Sequence, residues 1–386
     1  MHVFTPPTAP CHPIQRMRPT RAVIDPSAIS QNVSTLKSLA GSAGFMAVVK
    51  ADGYGHGASI AASAALRAGA DCLGVALIEE AIHLRHQGFT CPIQVLGSIV
   101  PEAADLAARY RIVPTVTDRE LIRALAATGE KSGQPIPIQI KIDTGMSRLG
   151  FPPEAAAEIA AFISQHTGLT LDGCMTHLAT ADAPDLSHAR RQVQRFMDAV
   201  SAIRNRGIDP GTLNAANTAA TLSLPDSRLD RVRCGIGIYG LYPDPAFTSR
   251  IHLNPAMTLE TRILHLKTVP AHTAISYGRT HITASERRIA TLPIGYADGY
   301  PRCLSNTAVV RINGTACPLV GRVCMDMCMV DVTEAPDVSS GDRVILFGRD
   351  QTGALSAETV AGWAGTINYE ITSAITARIP REIKGN

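Results

Sequence analysis

Aromatic side chains are scarce in this sequence, because Phe, Tyr and Trp make up 4% of its 386 residues and only one residue is tryptophan. A surplus of one charge is also lacking: 36 Lys and Arg residues stand against 33 Asp and Glu residues, and the basic residues form no stripe. Surfaces that bind nucleic acids combine clustered Lys and Arg with aromatic side chains for stacking. The composition therefore argues against a nucleic-acid partner.

The sequence also lacks a long apolar run. No segment reaches the ~18 consecutive apolar residues that a membrane-spanning helix needs. Several prolines interrupt the N-terminal stretch and break up the apolar core that a signal peptide requires. We expect no membrane partner, a flexible tail over residues 1–16 and a cytoplasmic location.

Cysteines at the close spacings of zinc ligands are missing as well. The nine cysteines are odd in number and scattered over the chain, which predicts free thiols in a reducing compartment. Cys324 and Cys328 alternate with methionines in VCMDMCMVDV, and this alternation is typical of a strand. We therefore expect no metal site.

What the chain does contain is a regular alternation of short β-branched runs and alanine-rich helical patterns. Its length exceeds the usual size of a single core, which predicts two domains. The eight runs are MAVVK (46–50), CLGVA (72–76), IQVLG (93–97), IVPTV (112–116), IQIKID (138–143), GCMTHL (173–178), TLNAAN (212–217) and VRCGI (232–236). Eight strands, each followed by a helix, form a (β/α)8 barrel, which is an α/β fold. We place this barrel at residues 17–250, with a first strand near 20–25 that is a candidate member of the second domain.

The alternation ends near Tyr242 and Pro243. Beyond this point, segments that read as strands are joined by Gly, Pro and Asn turns, and one helical pattern remains near 356–364. The predicted strands are 258–269, 288–294, 307–312, 316–320, 323–332 and 342–348. The sequence therefore predicts a second, mostly antiparallel β domain over residues 251–386.

Polar side chains follow five of the predicted barrel strands. In barrels of this kind the chemistry takes place at the carboxyl ends of the strands. Lys50 ends the first strand in VVKADGYGHG, where an apolar run meets a glycine-rich turn. The other four strands are followed by Asp143 and Arg148, by His177, by Asn217 and Thr218, and by Arg233.

The last two barrel strands also suggest an anion site. Thr218 opens a short helix whose free N–H groups favour an anion, and Gly235 and Gly237 allow close approach of the backbone. GIGIYG (235–240) also fits the dinucleotide motif GxGxxG, but no convincing helix follows it, so we disfavour a dinucleotide fold. A lysine and a phosphate site are the minimum that pyridoxal 5′-phosphate (PLP) requires.

Nine segments resemble motifs of the alanine racemases, a PLP-dependent enzyme family of fold-type III. They are VVKADGYGHG, KIDTGMSRLG, MTHLATAD, NAANTAA, RCGIGIYG, ISYGRT, LPIGYADGYPR, GRVCMDM and GTINYE. They occur in the family's order, and the resemblance runs from about Arg18 to the C-terminus. It implies an isomerase that interconverts L-alanine and D-alanine for peptidoglycan, in a homodimer whose subunits share their active sites.

The resemblance also implies roles for single residues. Lys50 would hold PLP and act as an acid or base on one face of the substrate Cα, while Tyr277 from the second subunit would act on the other face. Arg148 would support the PLP phenolate and the substrate carboxylate, and Met325 would donate its backbone N–H to that carboxylate. Tyr296 would narrow the entrance from the partner chain.

The implied cofactor contacts involve seven further residues. Arg233 would hydrogen-bond the pyridine nitrogen, with His177 behind it. The phosphate contacts would come from Tyr54, Thr218, the Gly235 and Ile236 amides, and Tyr369.

Lys141 and two departures from the family pattern leave questions open. The resemblance implies that Lys141 is carbamylated and that the resulting anion fixes Arg148; the alternative is a solvated lysine at a strand start. Asn214 stands where histidine is frequent, and His281 stands where many relatives have an aromatic residue. Both departures leave the breadth of substrates open more than the type of reaction.

Three alternative functions also fit parts of the sequence. One is a broad-specificity amino-acid racemase of the same fold. A PLP-dependent decarboxylase is disfavoured because such enzymes present an acidic residue to the pyridine nitrogen, where this chain has Arg233. A non-catalytic PLP-binding protein is disfavoured because it has no need of a second base such as Tyr277.

Overall fold

The computed structural model describes residues 17–350 and 353–385, and the predicted tail over residues 1–16 lies outside them. The chain divides into two compact units. The barrel unit contains residues 29–53 and 58–253, and the β unit contains residues 17–28, 54–57, 254–350 and 353–385.

The barrel unit is built on an eight-stranded parallel sheet. Its strands, numbered one to eight in chain order, are Gly44–Val48, Cys72–Val75, Ile93–Val95, Val113–Val116, Ile136–Lys141, Leu169–Met175, Thr212–Asn214 and Arg231–Cys234. Strands one to seven pair in sequence order, and strand eight pairs with strand one. Backbone hydrogen bonds from Asp230 N to Leu213 O (3.1 Å) and from Arg233 N to Ala216 O (2.9 Å) link strand eight to strand seven. The predicted barrel is confirmed.

Helix Pro26–Ala40 precedes the first barrel strand, and residues 50–54 form a left-handed turn after it. The helices that follow barrel strands are Ala58–Arg67, Ile78–His86, Ala104–Arg109, Arg119–Ser132, Ala156–Ser164, Ser187–Arg204 and Thr218–Ser223. Helix Arg119–Ser132 shows why these segments are helical. Asp118 caps its start by accepting a hydrogen bond from Leu121 N–H (2.8 Å), and Gly133 ends it in the left-handed conformation. Its buried face, which includes Leu125, packs on the sheet side.

The β unit is mostly antiparallel, as predicted. Its largest sheet has the order Thr315–Pro318, Val309–Ile312, Arg343–Asp350, Met257–Arg262, Arg21–Ile24 and Arg381–Ile383, with Gly353–Leu355 added to the third of these strands. Two smaller sheets contain His265–Val269, Arg287–Leu292 and Cys328–Asp331, and Ala274–Ile275 with His281–Ile282. Arg21–Ile24 pairs antiparallel with Met257–Arg262 and parallel with Arg381–Ile383.

Several elements of the β unit differ from the prediction. The short strands Ala274–Ile275, His281–Ile282, Gly353–Leu355 and Arg381–Ile383 were not predicted. The predicted strand 258–269 is two strands, and only the second part of 323–332 is a strand. Besides the expected helix, at Ala357–Ala364, there is a second one at Asn368–Ser373. Its sequence NYEITS is too short to show a helical period. Across residues 17–350 and 353–385, we find no helix with the length and apolar character needed to cross a membrane.

Candidate active site

Lys50 begins a left-handed turn directly after the first barrel strand. Ala51, Asp52 and Gly53 have φ values of 52°, 51° and 62°. Left-handed backbone costs about 1–2 kcal/mol for each residue other than glycine, so the surrounding contacts must hold the turn in place. Asp52 Oδ1 accepts from Ala58 N–H at 2.8 Å, and Glu80 Oε1 accepts from Ala51 N–H at 2.6 Å.

The Lys50 amine lies in a positively charged part of the barrel unit. Burial lowers the pKa of Lys50, the charge of Arg148 lowers it further, and Glu80 acts in the opposite direction. Glu80 was not identified from the sequence. It stands 30 residues along the chain and carries no motif, so only the folded structure reveals that it holds the lysine turn.

Lys141 is 6% exposed, so the alternative of a solvated lysine at a strand start is wrong. Burial lowers the pKa of Lys141 well below its usual value, and Arg233 and Arg148 lower it further. A cavity of about 10 Å³ is lined by Lys141, Asp143, Met146, Arg148, Thr176 and His177. The cavity has about the size of one water molecule. Lys141 and Arg148 therefore border the same small space.

Asp143 shapes the loop that carries Arg148. Its Oδ1 accepts three backbone N–H groups, from Gly145, Met146 and Ser147, each at 3.0 Å. This use of the carboxylate is structural. Asp143 follows the strand that ends at Lys141, as predicted. Its hydrogen bonds go to the loop.

Arg233 is buried, with 3% of its surface exposed, and its guanidinium is held by several acceptors. Nη1 donates to the backbone oxygen of Asn214 (2.9 Å) and to its Oδ1 (2.5 Å). Nη2 donates to the carbonyl oxygens of Thr176 (2.7 Å) and Ala215 (3.2 Å) and faces His177 Nδ1 at 3.3 Å. Burial lowers the pKa of Arg233 to about 10. Of its five N–H groups, the Nε–H is the one without an acceptor in the described part of the chain.

His177 lies behind the guanidinium. Burial lowers the pKa of His177 well below its usual value, and the charges of Arg233, Lys141 and Arg148 lower it further. The imidazole is therefore neutral, which leaves Nδ1 free to accept a hydrogen bond from Arg233.

The last two barrel strands bring Thr218 against the backbone that follows strand eight. Gly235 N–H donates to Thr218 Oγ1 at 3.0 Å. A Cβ on Gly237 would lie 2.7 Å from Thr218 Cγ2, so this position has no room for a side chain. Asn217 caps the short helix by accepting from Ala220 N–H (2.9 Å), and Ile236 is buried. The residues 236–239 form a single 3₁₀ turn, so the GxGxxG match does not open a long helix.

Two other tyrosines predicted to bind the cofactor lie in the β unit. The rings of Tyr54 and Tyr369 are 6.1 Å apart between centroids, at an angle of 51°. Gly55 holds their backbones together, because a Cβ there would lie 2.0 Å from Thr372 O, and its φ is 84°. Arg381 Nε also donates to Gly55 O at 3.0 Å.

The remaining three predicted site residues are exposed on the β unit. The exposed fractions are 71% for Tyr277, 53% for Met325 and 42% for Tyr296. Ser276, directly before Tyr277, has a φ of 65° and donates from its Oγ to Arg322 O at 2.7 Å. Backbone strain in a non-glycine residue next to a predicted acid/base group is an observation that points to function.

The turn with Tyr296 and the loop with Met325 are joined by backbone hydrogen bonds. Tyr296 N–H donates to Cys324 O and Ala297 N–H donates to Met325 O, both at 3.0 Å. Asp298, which was not identified from the sequence, is fully buried below this turn and accepts from Gly295 N–H at 3.1 Å. A buried carboxylate in a glycine-rich turn leaves no pattern in the sequence.

Two family models match the chain. "Alanine racemase, N-terminal domain" matches residues 24–243, and "Alanine racemase, C-terminal domain" matches residues 256–383. Among curated relatives, the alanine racemase of Desulforamulus reducens is 44% identical over 367 residues, which cover 94% of this chain and 98% of the relative. The alanine racemase of Halothermothrix orenii is 42% identical over 368 residues, which cover 95% and 97%.

Solved structures agree with these matches. Alanine racemase from D-cycloserine-producing Streptomyces lavendulae is 35% identical, with a TM-score of 0.91 and coverage of 96% of this chain and 98% of that one. Alanine racemase from Bacillus anthracis with bound L-Ala-P is 36% identical, with a TM-score of 0.90 and coverage of 95% and 96%.

Proposed function

The chain belongs to the alanine racemase family, and we propose that it works with PLP bound at Lys50 and with Tyr277 as a second acid/base group. It is an isomerase that interconverts L-alanine and D-alanine. A role in supplying D-alanine for peptidoglycan fits the family.

The residues of the barrel unit fit PLP by the chemistry of their donors. The single observation that carries the proposal is Arg233, a buried cation whose Nε–H has no acceptor in the described part of the chain. This donor suits a pyridine nitrogen. Thr218, the Gly235 and Ile236 amides and the small Gly237 would hold the phosphate, with Tyr54 and Tyr369 as further contacts.

Racemisation requires a proton to be removed from one face of Cα and returned on the other. When bound, PLP supplies an electron sink for the negative charge that develops at Cα. Lys50 Nζ accepts or returns the proton on one face, which requires a neutral amine, and its lowered pKa supports that state. The Tyr277 hydroxyl serves the other face. Arg233 donates only and stays charged, so it disfavours a proton on the ring nitrogen.

The substrate carboxylate is assigned to Arg148 and to the backbone N–H of Met325. Tyr296, on the turn joined to the Met325 loop, narrows the entrance. The absence of a carboxylate beside Arg233 within residues 17–350 and 353–385 disfavours a decarboxylase, which places an acid at the pyridine nitrogen. A broad-specificity racemase is the second candidate, because Asn214 and His281 depart from the family pattern.

Borohydride reduction followed by peptide mapping tests the lysine. We expect the pyridoxyl label on Lys50, because its pKa is lowered at a strand end. Lys141 is the matched control, since it is also buried and has a lowered pKa. Label on Lys141 instead of Lys50 would refute the assignment.

We propose a homodimer with shared active sites. Tyr277, Tyr296 and Met325 are large side chains that stand exposed on the β unit, as do Ile282 (51%) and Ile367 (61%). Exposed apolar groups in such number suit a surface that a second subunit covers. Mixing inactive Lys50→Ala and Tyr277→Phe chains should restore part of the activity; no recovery after demonstrated subunit exchange would contradict sharing.

We also propose that Lys141 is carbamylated. Its neutral amine attacks CO₂, an N–C bond forms and a proton is released, which leaves an anion beside Arg148. The lowered pKa supports a neutral amine, and Arg148, which borders the same cavity as Lys141, supports a partner for the new anion. Growth of a ¹³C carbonyl signal in ¹³C-bicarbonate, lost in Lys141→Met, is the expected result; a signal retained in that variant would refute the site.

The breadth of substrates and the cellular location each have a direct assay. Circular dichroism against a panel of L-amino acids separates an alanine racemase from a broad-specificity enzyme: alanine should react fastest.

A cytoplasmic location is supported by the eight free cysteines in the described part of the chain, since disulfides are rare in reducing compartments. Fractionation of cells that express the tagged chain tests it.

A further inference from the structure

A chain of hydrogen bonds leads from Arg233 to a carboxylate through two buried amides. Arg233 Nη1 donates to Asn214 Oδ1 at 2.5 Å, and Asn214 Nδ2 donates to Gln139 Oε1 at 3.0 Å. Gln139 Nε2 then donates to Asp172 Oδ2 at 2.9 Å. The chain thus runs across strands eight, seven, five and six of the barrel.

The direction of every bond in this chain is fixed by its two ends. A guanidinium only donates and a carboxylate only accepts, whereas an amide side chain has one accepting and one donating end. Asn214 must therefore turn its oxygen to Arg233 and its nitrogen to Gln139. Gln139 must turn its nitrogen to Asp172. No other orientation of the two amides satisfies all three contacts.

The middle of the chain is closed to water. Gln139 and Asn214 are 0% exposed, and only Asp172 reaches the partly exposed zone. Gly173 keeps the space open, because a Cβ there would lie 2.8 Å from Gln139 Nε2. In such low-dielectric surroundings, hydrogen bonds in series polarise one another and an unpaired polar group is costly.

Arg233 has no carboxylate of its own. None of the ion pairs within residues 17–350 and 353–385 includes it. Asp172 is therefore the anion to which the guanidinium is connected, through Asn214 and Gln139. This arrangement fixes the plane of the guanidinium without placing a negative charge beside it.

We propose that Asn214, Gln139 and Asp172 are positioning residues that hold Arg233 with its Nε–H directed at the ring nitrogen of the cofactor. This inference rests on the proposed role of Arg233 and adds the residues that keep it in place. The Nη1 group is bound by Asn214, and the Nη2 group is bound by carbonyl oxygens and His177. Removal of the Asn214 side chain leaves Nη1 with the backbone oxygen of Asn214 alone, so one of the two hydrogen bonds that fix this edge of the guanidinium is lost.

Exchanging the amide and the carboxylate between Gln139 and Asp172 tests the series of hydrogen bonds without changing the net charge of the protein. Gln139→Glu alone sets two carboxylates against each other at the Asp172 contact. Gln139→Glu with Asp172→Asn restores the pattern, because the new carboxylate accepts from Asn214 Nδ2 and from the new amide. We expect the single variant to impair the enzyme and the double variant to recover.

The exposed pair Gln194 and Asp198 supplies a matched control. Gln194 Nε2 donates to Asp198 Oδ1 at 2.8 Å on the surface of helix Ser187–Arg204. Gln194→Glu, with or without Asp198→Asn, makes the same chemical changes away from Arg233. These variants should match the unchanged chain in every assay.

Three measurements are made on each variant: the Kd of PLP for the apo chain by absorbance titration, the rate of half-transamination with L-alanine relative to racemisation, and the melting temperature of the apo chain. For Gln139→Glu we expect Kd and relative half-transamination to rise by about ten- to a hundredfold, the scale of a lost hydrogen bond in a network that ends on a charged group. Asn214→Leu should do the same, and the double variant should return to within about threefold. A lower melting temperature with unchanged Kd and unchanged side reaction would overturn the proposal.

Asp172→Asn keeps the geometry at the accessible end of the chain and tests the proposal if the buried variants do not fold. A smaller rise in Kd and in half-transamination is expected, and values equal to those of the unchanged chain would count against the role of Asp172. Arg233→Leu separates this proposal from the proposed function. If Arg233→Leu leaves Kd and half-transamination unchanged, the role of Arg233 itself fails. If Arg233→Leu raises both and the Asn214 and Gln139 variants do not, only the positioning role fails.

Discussion

Replacement of Asp298 tests the packing below the Tyr296 turn. Its carboxylate is fully buried, accepts from Gly295 N–H at 3.1 Å and pairs with Arg18 at 2.7 Å. A longer contact, 3.4 Å, joins it to Arg378. Asp298→Asn keeps an acceptor for Gly295 but removes the charge, whereas Asp298→Ala removes both.

The expected loss in the free energy of unfolding follows from these contacts. Removing one partner of a buried ion pair costs several kcal/mol, but Arg18 has a side chain that is 24% exposed and regains water when the anion is lost. We expect a loss of about 1–2 kcal/mol for Asp298→Asn and about 3 kcal/mol for Asp298→Ala, in which the buried Gly295 N–H also loses its acceptor.

Urea unfolding followed by tryptophan fluorescence measures this loss in the β unit, which contains Asp298. Trp363 is the only tryptophan and lies in helix Ala357–Ala364 of the β unit. Asp326→Asn is the control, because it removes a half-exposed carboxylate from Arg378 and should change the midpoint little. Equal midpoints for Asp298→Asn and Asp298→Ala, or a change no larger than that of the control, would refute the reasoning.

Three further changes have defined outcomes. Tyr277→Phe should lower the racemisation rate by about 10²–10⁴-fold with unchanged uptake of PLP, and an unimpaired rate would exclude a second acid/base group there. Gly237→Ala places a Cβ 2.7 Å from a neighbouring side-chain carbon and should raise the Kd of PLP in an absorbance titration, whereas Gly362→Ala, with open space around it, should not. The lowered pKa of Lys50 keeps its amine neutral to lower pH than an ordinary lysine, so PLP uptake should fall only as the pH drops through that pKa. Arg148→Gln removes one cause of the lowering, so the uptake curve should move to higher pH, and a shift to lower pH would contradict this cause.

The barrel was predictable because each strand and helix leaves its own period in the sequence. The position of Lys50 just after the first strand was predictable because an apolar run ends there. Gln139 shows the limit of that approach. In IQIKID it alternates with isoleucines, as a solvent-facing residue would, yet it is fully buried in the barrel. The barrel buries both faces of its strands, so a polar position there is recognised only when its partners are known.

Contacts between distant segments could not be predicted from the sequence for the same reason. Arg21–Ile24 joins the β unit through Met257–Arg262, more than 200 residues away, and nothing in RAVI specifies that partner. The left-handed turn after Lys50 was also not predicted, because Ala51 and Asp52 do not favour positive φ. Local preference is overruled there by Glu80 and by the N–H of Ala58, which the fold supplies.

The buried cations of the barrel unit connect the chemistry of the site with its stability. Burial lowers the pKa of Lys50 and of Lys141 most. The charge of Arg148 lowers both pKa values further, and Arg233 also lowers that of Lys141, because like charges in a desolvated site disfavour one another. An anion bound among them removes that repulsion, so a ligand that binds the folded chain alone stabilises it by mass action. A carbamate on Lys141 would relieve it in the same way. Burial and the like charges that the barrel strands bring together therefore favour both a neutral amine at Lys50 and an anion bound beside it.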